Sequence, residues 1–186
     1  MLTHAGTQEL VTERMLLRPF RRTDAQGMHK NWAADKKVQH RYGEPVYPTL
    51  AEVNGLLDKY LPGYQRKDYY RWAILEQESG ECIGQIAYFL VDSSNHFAEI
   101  EYCIGRAYQG KGLATEAARA IITYGFERIN LHKVQICHNS LNMPSKRVIE
   151  KCGFVYEGTL RDFFFIEGGY ADRLYYSILR SEYTRF

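Results

Sequence analysis

Three stretches of the chain carry residue types whose spacing could do chemistry. The first is GRAYQGKGLAT, residues 105 to 115. Gly105, Gly110 and Lys111 stand at the G-x-x-x-x-G-K spacing that cradles nucleotide phosphates, but Gly112 occupies the place where that loop needs a Ser or Thr hydroxyl for magnesium. The dinucleotide fingerprint G-x-G-x-x-G fails too, because Thr115 stands where the third glycine belongs. What survives is simpler. A strand ending at Gly105 and a helix starting near Lys111 leave backbone N–H groups unpaired at the positive end of a helix dipole, and such a terminus binds phosphate. A ligand-free strand-to-helix turn would use the same glycines.

The second stretch is AEIEYCIG, residues 98 to 105. Strand alternation puts Glu99, Glu101 and Cys103 on one face and Ile100, Tyr102 and Ile104 on the other. Carboxylates pointing into a covered sheet are costly unless they line a wet cleft, where they could accept a proton; an alternating strand with one solvated face would read the same way. In the third stretch, NSLNMPSKRVIEKCGF (139 to 154), Asn142 precedes Ser145 by three residues. That is helix-capping spacing, with Pro144 in the first turn, and it also leaves a hydroxyl available for chemistry.

These residues need a scaffold, and the pattern supplies one. TERMLLR (12 to 18) reads as a first strand ended by Pro19, and Thr23 or Asp24 caps a helix to about Ala34. Pro48-Thr49 opens a second helix with apolar residues at helical spacing from Leu50 to Leu61. A meander follows at 69 to 77, 81 to 91 and 96 to 105. Then come an amphipathic helix from about 113 to 129, a strand at 133 to 137, a short helix at 144 to 152, and strands at 154 to 166 and 170 to 180 flanking Gly168-Gly169. The expected architecture is α/β (α+β), in the order β-α-α-β-β-β-α-β-α-β-β, in a single domain with its core at about 10 to 180.

Composition narrows the function. Twenty-four Lys and Arg nearly balance 22 Asp and Glu, which argues against a nucleic-acid backbone as partner. Cys82, Cys103, Cys137 and Cys152 form no C-x-x-C pair and read as small thiols in a reducing cytosol. The six His residues show no ligand spacing, so no metal is expected. No segment approaches the roughly 20 apolar residues that span a bilayer, and the N-terminus has no apolar core of signal-peptide length, so a cytoplasmic protein is expected.

Gln109-Gly110-Lys111-Gly112-Leu113-Ala114 resembles Q/R-x-x-G-x-G/A, the acetyl-CoA pyrophosphate loop of the GNAT N-acetyltransferase superfamily. TERMLLRP, AEIEYCIGRAYQGKGLATEA and NSLNMPSKRVIEKCGFVYEGTLRD are similar to its ribosomal-protein N-terminal acetyltransferase (RimJ/RimL-like) branch, and the resemblance covers about residues 10 to 180. It implies a mixed sheet of about seven strands with helices on both faces, and acetyl-CoA as cosubstrate. It implies that the strands flanking the loop splay to admit pantetheine, with the amine entering from the other side. It further implies that Gln109, Gly110, Lys111, Gly112, Leu113 and Ala114 bind pyrophosphate, that backbone N–H groups near Cys103 and Ile104 meet the thioester, and that Asn142 contacts pantetheine. Ser145 would lie near the sulfur, and Glu99, or else Glu101, would act as base, directly or through water. The branch can also use a Glu after E-G-x-L, but Phe164 stands there.

Trp32, Tyr42, Tyr47 and Tyr64, with Phe163, Phe164 and Phe165, are candidates to wall the acceptor side, although aromatic runs more often build cores. The acceptor expected from the resemblance is a primary amine, a peptide N-terminus or a small molecule. A non-catalytic acyl-CoA sensor and an oligomeric module remain alternatives, and the aromatic final hairpin leaves a homodimer open.

Overall fold

The computed structural model of the protein describes residues 1 to 166 and 168 to 186. Its strands are β1 Leu10–Val11, β2 Met15–Arg18, β3 Tyr70–Glu76, β4 Cys82–Asp92, β5 Phe97–Ile104, β6 Lys133–Asn139, β7 Val155–Ile166 and β8 Gly169–Leu179. They form one sheet in the order β1-β2-β3-β4-β5-β6-β8-β7. The α-helices are α1 Ala25–Met28, α2 Lys36–Tyr42, α3 Leu50–Tyr60, α4 Leu113–Tyr124 and α5 Met143–Lys151.

Two local features depart from the expected order. Thr12 closes a turn on Met15, its Oγ1 accepting from Met15 N at 3.1 Å while Thr12 N donates to Met15 O at 2.9 Å. This turn trims the anticipated strand 12 to 18 to β2, and an unanticipated β1 pairs with it from Leu10–Val11, giving eight strands instead of about seven. The helix expected up to Ala34 is composite: a 3-10 turn at Arg22–Asp24, then α1, then a π segment at His29–Ala33. After it comes the unanticipated α2, capped by Asp35, whose Oδ1 accepts from Lys37 N at 2.9 Å. Its sequence KKVQHRY buries only Val38 and Gln39, so no apolar period betrays it. By contrast α3 opens on a capping box, Thr49 N donating to Glu52 Oε2 and Glu52 N to Thr49 Oγ1.

Strand alternation sorts the core onto two faces. On one, Leu17, Trp72, Ile86, Ile100 and Ile104 pack under α4 and α5, joining Ala117, Ile121 and Ile149. On the other, Ala73, Cys82 and Cys103 meet Met28, Trp32, Val53 and Leu57 from α1, the π segment and α3.

Among the described residues the only parallel pair is β5 with β6. Its register runs from Phe97 opposite Lys133 to Ile100 opposite Ile136 and stops there, although β5 continues to Ile104 and β6 to Asn139. The two strands therefore separate towards their C-terminal ends, and β6 turns away to pair with β8 over its full length.

Candidate active site

The separated ends of β5 and β6 bring all three chemical stretches together. After Ile104 the chain makes a 3-10 turn at Arg106–Tyr108, then passes through Gly110 at φ +76° and Gly112 at φ +83° into α4. L-residues with a Cβ avoid this left-handed region, which is the reason glycine stands at both positions. The first intrahelical bond of α4 is Glu116 N to Gly112 O, so the N–H groups of Leu113, Ala114 and Thr115 have no acceptor within the helix. The side chain of Leu113 is buried in the core, which leaves its amide as the group offered to a ligand.

The loop is braced from both sides. Gln109 Nε2 donates to Ile104 O at 2.7 Å and ties the loop to the strand end. Arg14, from the turn between β1 and β2, donates to Lys111 O at 2.9 Å and pairs with Glu116 at 2.6 Å. Burial pushes the Glu116 carboxyl up, but hydrogen bonds from Thr12 and Arg14, with the Arg14 charge, outweigh it and hold the group below its ordinary range. An acidic side chain in the first turn of α4 would otherwise oppose an anion there, and Arg14 cancels it. Lys111 itself is exposed, its Nζ 5.3 Å from the Tyr108 ring centroid.

The amides at the split follow from the β4–β5 register. Gly105 N donates to Ile83 O at 2.8 Å, so by antiparallel alternation the N–H of Cys103 also points to β4. The backbone of Tyr102 and Ile104 faces the other way, into the split; Ile104 O, reached by Gln109, confirms that direction. Of the two amides named from the sequence, Ile104 therefore opens on the cleft and Cys103 does not, and Tyr102 takes the second place.

On the α4/α5 side, Asn142 Oδ1 accepts from Ser145 N at 3.3 Å and caps α5. Ser145 Oγ accepts a hydrogen bond at 3.2 Å from the hydroxyl of Tyr102, whose phenol is pushed up to about 12 by burial. On the opposite side lie the carboxylates. Glu99 is 3% exposed; its Oε1 accepts from Arg173 at 2.9 Å and its Oε2 from Gln135 Nε2 at 2.8 Å. The side chain of Glu101 is 22% exposed and pairs with Arg71 at 2.6 Å. A glycine loop for phosphate, two free amides, a hydroxyl and two carboxylates thus surround one split in the sheet.

The Acetyltransferase (GNAT) domain family matches residues 14 to 155. The chain belongs to this family. It is 30% identical over 167 residues to a spermidine N(1)-acetyltransferase of Escherichia coli (strain K12), covering 90% of this chain and 87% of that one. It is 40% identical over 104 residues to the provisionally named ribosomal N-acetyltransferase YdaF of Bacillus subtilis (strain 168), covering 56% and 57%. The solved spermidine N-acetyltransferase of Vibrio cholerae, in complex with CoA and spermine, superposes with a TM-score of 0.78 at 27% identity over 91% of this chain and 97% of that one. The protein is an acetyl-CoA-dependent N-acetyltransferase of the GNAT fold, and it resembles the RimJ/RimL-like branch.

Acetyl-CoA fits what this GNAT chain presents. A Cβ built at Gly110 meets nothing within 4 Å, and one at Gly112 meets only Arg14 Nη2 at 3.5 Å, so the loop opens onto unfilled space beside its free amides. Gly105 has a different reason: a Cβ there would come within 2.8 Å of Asn31 O, so this glycine serves helix-to-strand packing. Burial raises the Cys82 and Cys103 thiols well above the ordinary range and those of Cys137 and Cys152 to about 11, which disfavours the thiolate form. Among the described residues no group of three or more His, Cys, Asp or Glu is arranged to hold a metal ion. No described helix is long and apolar enough to cross a membrane.

The aromatic candidates divide. Trp32 is a core residue, buried with Met28 and Val53, and cannot wall an acceptor site. Tyr64 is spent on structure, accepting from Phe20 N at 2.9 Å and donating to Arg71 O at 2.8 Å. Tyr42 accepts from Gln85 beside the Glu101 pair, and Tyr47 is partly buried nearby. Phe163 lies over Arg173, next to Phe164, and Phe165 is exposed. Sequence reasoning missed Tyr102, Arg14, Arg71 and Arg173. Tyr102 carried a signal, a tyrosine on the face opposite the carboxylates and adjoining the loop; the arginines pair across 30 to 102 positions, which no local pattern encodes.

Proposed function

We propose that the chain moves the acetyl group of acetyl-CoA to a primary amine, on a peptide N-terminus or a small molecule, by direct attack within a ternary complex. The observation that carries this reading is the split between β5 and β6, with the phosphate loop and Ser145 on one sheet face and the carboxylates on the other. Relatives named for spermidine and for ribosomal substrates support an amine acceptor of this general kind.

Acetyl-CoA supplies the acyl group and a thiolate leaving group. The loop from Gln109 to Ala114 holds its pyrophosphate on the free amides of α4, and Asn142 both caps α5 and lines the pantetheine path. The N–H groups of Tyr102 and Ile104 polarise the carbonyl. An amine reaches the site as an ammonium and must lose a proton before it attacks. Glu101 receives that proton through water, as the more open carboxylate, with Glu99 one strand step behind it. Ser145 donates a hydrogen bond from its hydroxyl to the departing thiolate, which takes its proton from water, and the Tyr102 hydroxyl keeps Oγ in register. Direct attack is supported by the thiols, which burial holds protonated and which therefore offer no acetyl-accepting nucleophile.

Thermal stabilisation by acetyl-CoA but not by ATP or NAD, followed by thiol release with a panel of amines, tests the reading. Intersecting initial-velocity patterns are expected; a parallel pattern would replace the ternary complex with an acetyl-enzyme, and stabilisation by ATP alone would end the proposal. The reading extends to a cytoplasmic setting, supported by four free cysteines. It extends also to a homodimer, supported by β7, an edge strand of 12 residues with exposed Val155, Leu160, Phe163 and Phe165. Sedimentation as a monomer at every concentration would remove the dimer.

A further inference from the structure

Neither carboxylate on the acceptor face is free. Arg173 reaches Glu99 through Nη2 at 2.9 Å and donates from Nε to Cys137 Sγ at 3.1 Å. Its guanidinium is also held between two rings, with Cζ 4.9 Å from the Phe163 centroid and 4.6 Å from that of Tyr175. Four contacts on four strands fix it in place, so it is a built-in counter-ion and not a surface side chain resting on the nearest charge. One strand step away, Arg71 does the same for Glu101, at 2.6 Å, with its Cζ 4.4 Å from the Tyr60 ring centroid.

The rim beside Arg173 is aromatic: Phe163 is exposed over its guanidinium and lies 4.9 Å, centroid to centroid, from Phe164, which stands opposite Ala171 on the same face as Arg173.

We propose that Arg173 is a specificity-determining residue: it occupies on Glu99 the place a second ammonium would take, so that the acceptor is a monoamine with an apolar group next to its nitrogen, and not a polyamine. The inference rests on the acetyltransferase reading above and narrows its substrate class. A polyamine would bring further positive charge against Arg173 and Arg71, and like-charge contact of that kind is a strong discriminator. The apolar rim favours a ring or alkyl group beside the reacting nitrogen, because burying it there removes apolar surface of both partners from water.

The test measures kcat/KM at saturating acetyl-CoA for 2-phenylethylamine, the dipeptide amide Ala-Phe-NH2 and spermidine. In the wild-type protein at least one of the two monoamines should exceed spermidine by about tenfold or more. Arg173→Gln, which uncovers Glu99, should move that ratio about tenfold towards spermidine while leaving KM for acetyl-CoA unchanged; Arg173→Lys, which keeps the cation, should stay close to wild type. Spermidine as the preferred substrate of the wild-type protein overturns the proposal whether or not either variant folds, and so does a ratio that Arg173→Gln leaves in place. Acetyl transfer to none of the three amines, with no stabilisation by acetyl-CoA, overturns the acetyltransferase reading itself.

Discussion

Gly112→Ala separates the two jobs of the glycine loop. The residue sits at φ +83°, where an L-side chain costs about 1–2 kcal/mol. Fewer accessible conformations in the unfolded chain return about 0.4–1 kcal/mol. No clash adds to the bill, since the only atom within 4 Å of the new Cβ is Arg14 Nη2 at 3.5 Å. The net loss is about 1 kcal/mol, and for a chain of this size that lowers Tm by about 2–4 °C. The same methyl stands on the open side of the loop, beside the amides of residues 113 to 115, and should raise KM for acetyl-CoA with little change in kcat. Asn tolerates the left-handed region, so Gly112→Asn should lose less Tm than Ala yet raise KM at least as much. Scanning calorimetry and steady-state kinetics on both variants give the answer. An alanine variant that loses Tm but keeps its KM would mean that the cosubstrate does not approach residue 112; one that changes neither would mean that the loop geometry is wrong.

Three further outcomes are expected. Asp24→Ala should cost about 3–5 kcal/mol in urea unfolding, because it leaves Arg18 buried without the carboxylate it meets at 2.7 Å; a loss under about 1 kcal/mol would refute the buried pair. Ser145→Ala should lower kcat about 100-fold or more, and Tyr102→Phe, which removes one neutral hydrogen bond of 3.2 Å, about 2- to 10-fold. The double variant should be no slower than Ser145→Ala alone, whereas additive losses would sever Tyr102 from Ser145. His138 is held below the ordinary imidazole range by burial, so its neutral form belongs to the fold. Its contribution is complete above about pH 6.5 and is lost as pH falls below that value. The stability gap between wild type and His138→Gln should therefore shift against wild type between about pH 7 and 5, and parallel curves would exclude the effect.

What was legible in the sequence follows the range of the forces involved. The glycines at 110 and 112, the cap at Asn142 and the alternation Glu99, Glu101, Cys103 are local, and a window of a few residues contains their whole cause. The splay of β5 and β6 was legible only through family resemblance, because it depends on where β6 finds β8, some 40 residues later. Trp32 was misplaced because an aromatic in a helix near a site and an aromatic in the core look alike until the partner layer is known. Arg173 was invisible for the same reason: its role exists only when β5, β6, β7 and β8 lie side by side.

The strand period has a consequence for the chemistry. Because alternate residues of β5 point to opposite faces, the chain can vary Glu99 and Glu101 without touching Tyr102 and Ile104, and the converse holds. On the proposed reading, donor binding belongs to α4, α5 and the free amides, and acceptor charge to the carboxylates that Arg71 and Arg173 pair with. A sheet built this way keeps one acetyl donor fixed while its other face is free to change acceptor. Substitutions on the acceptor face should accordingly alter amine preference far more than acetyl-CoA affinity, and those in the glycine loop the reverse.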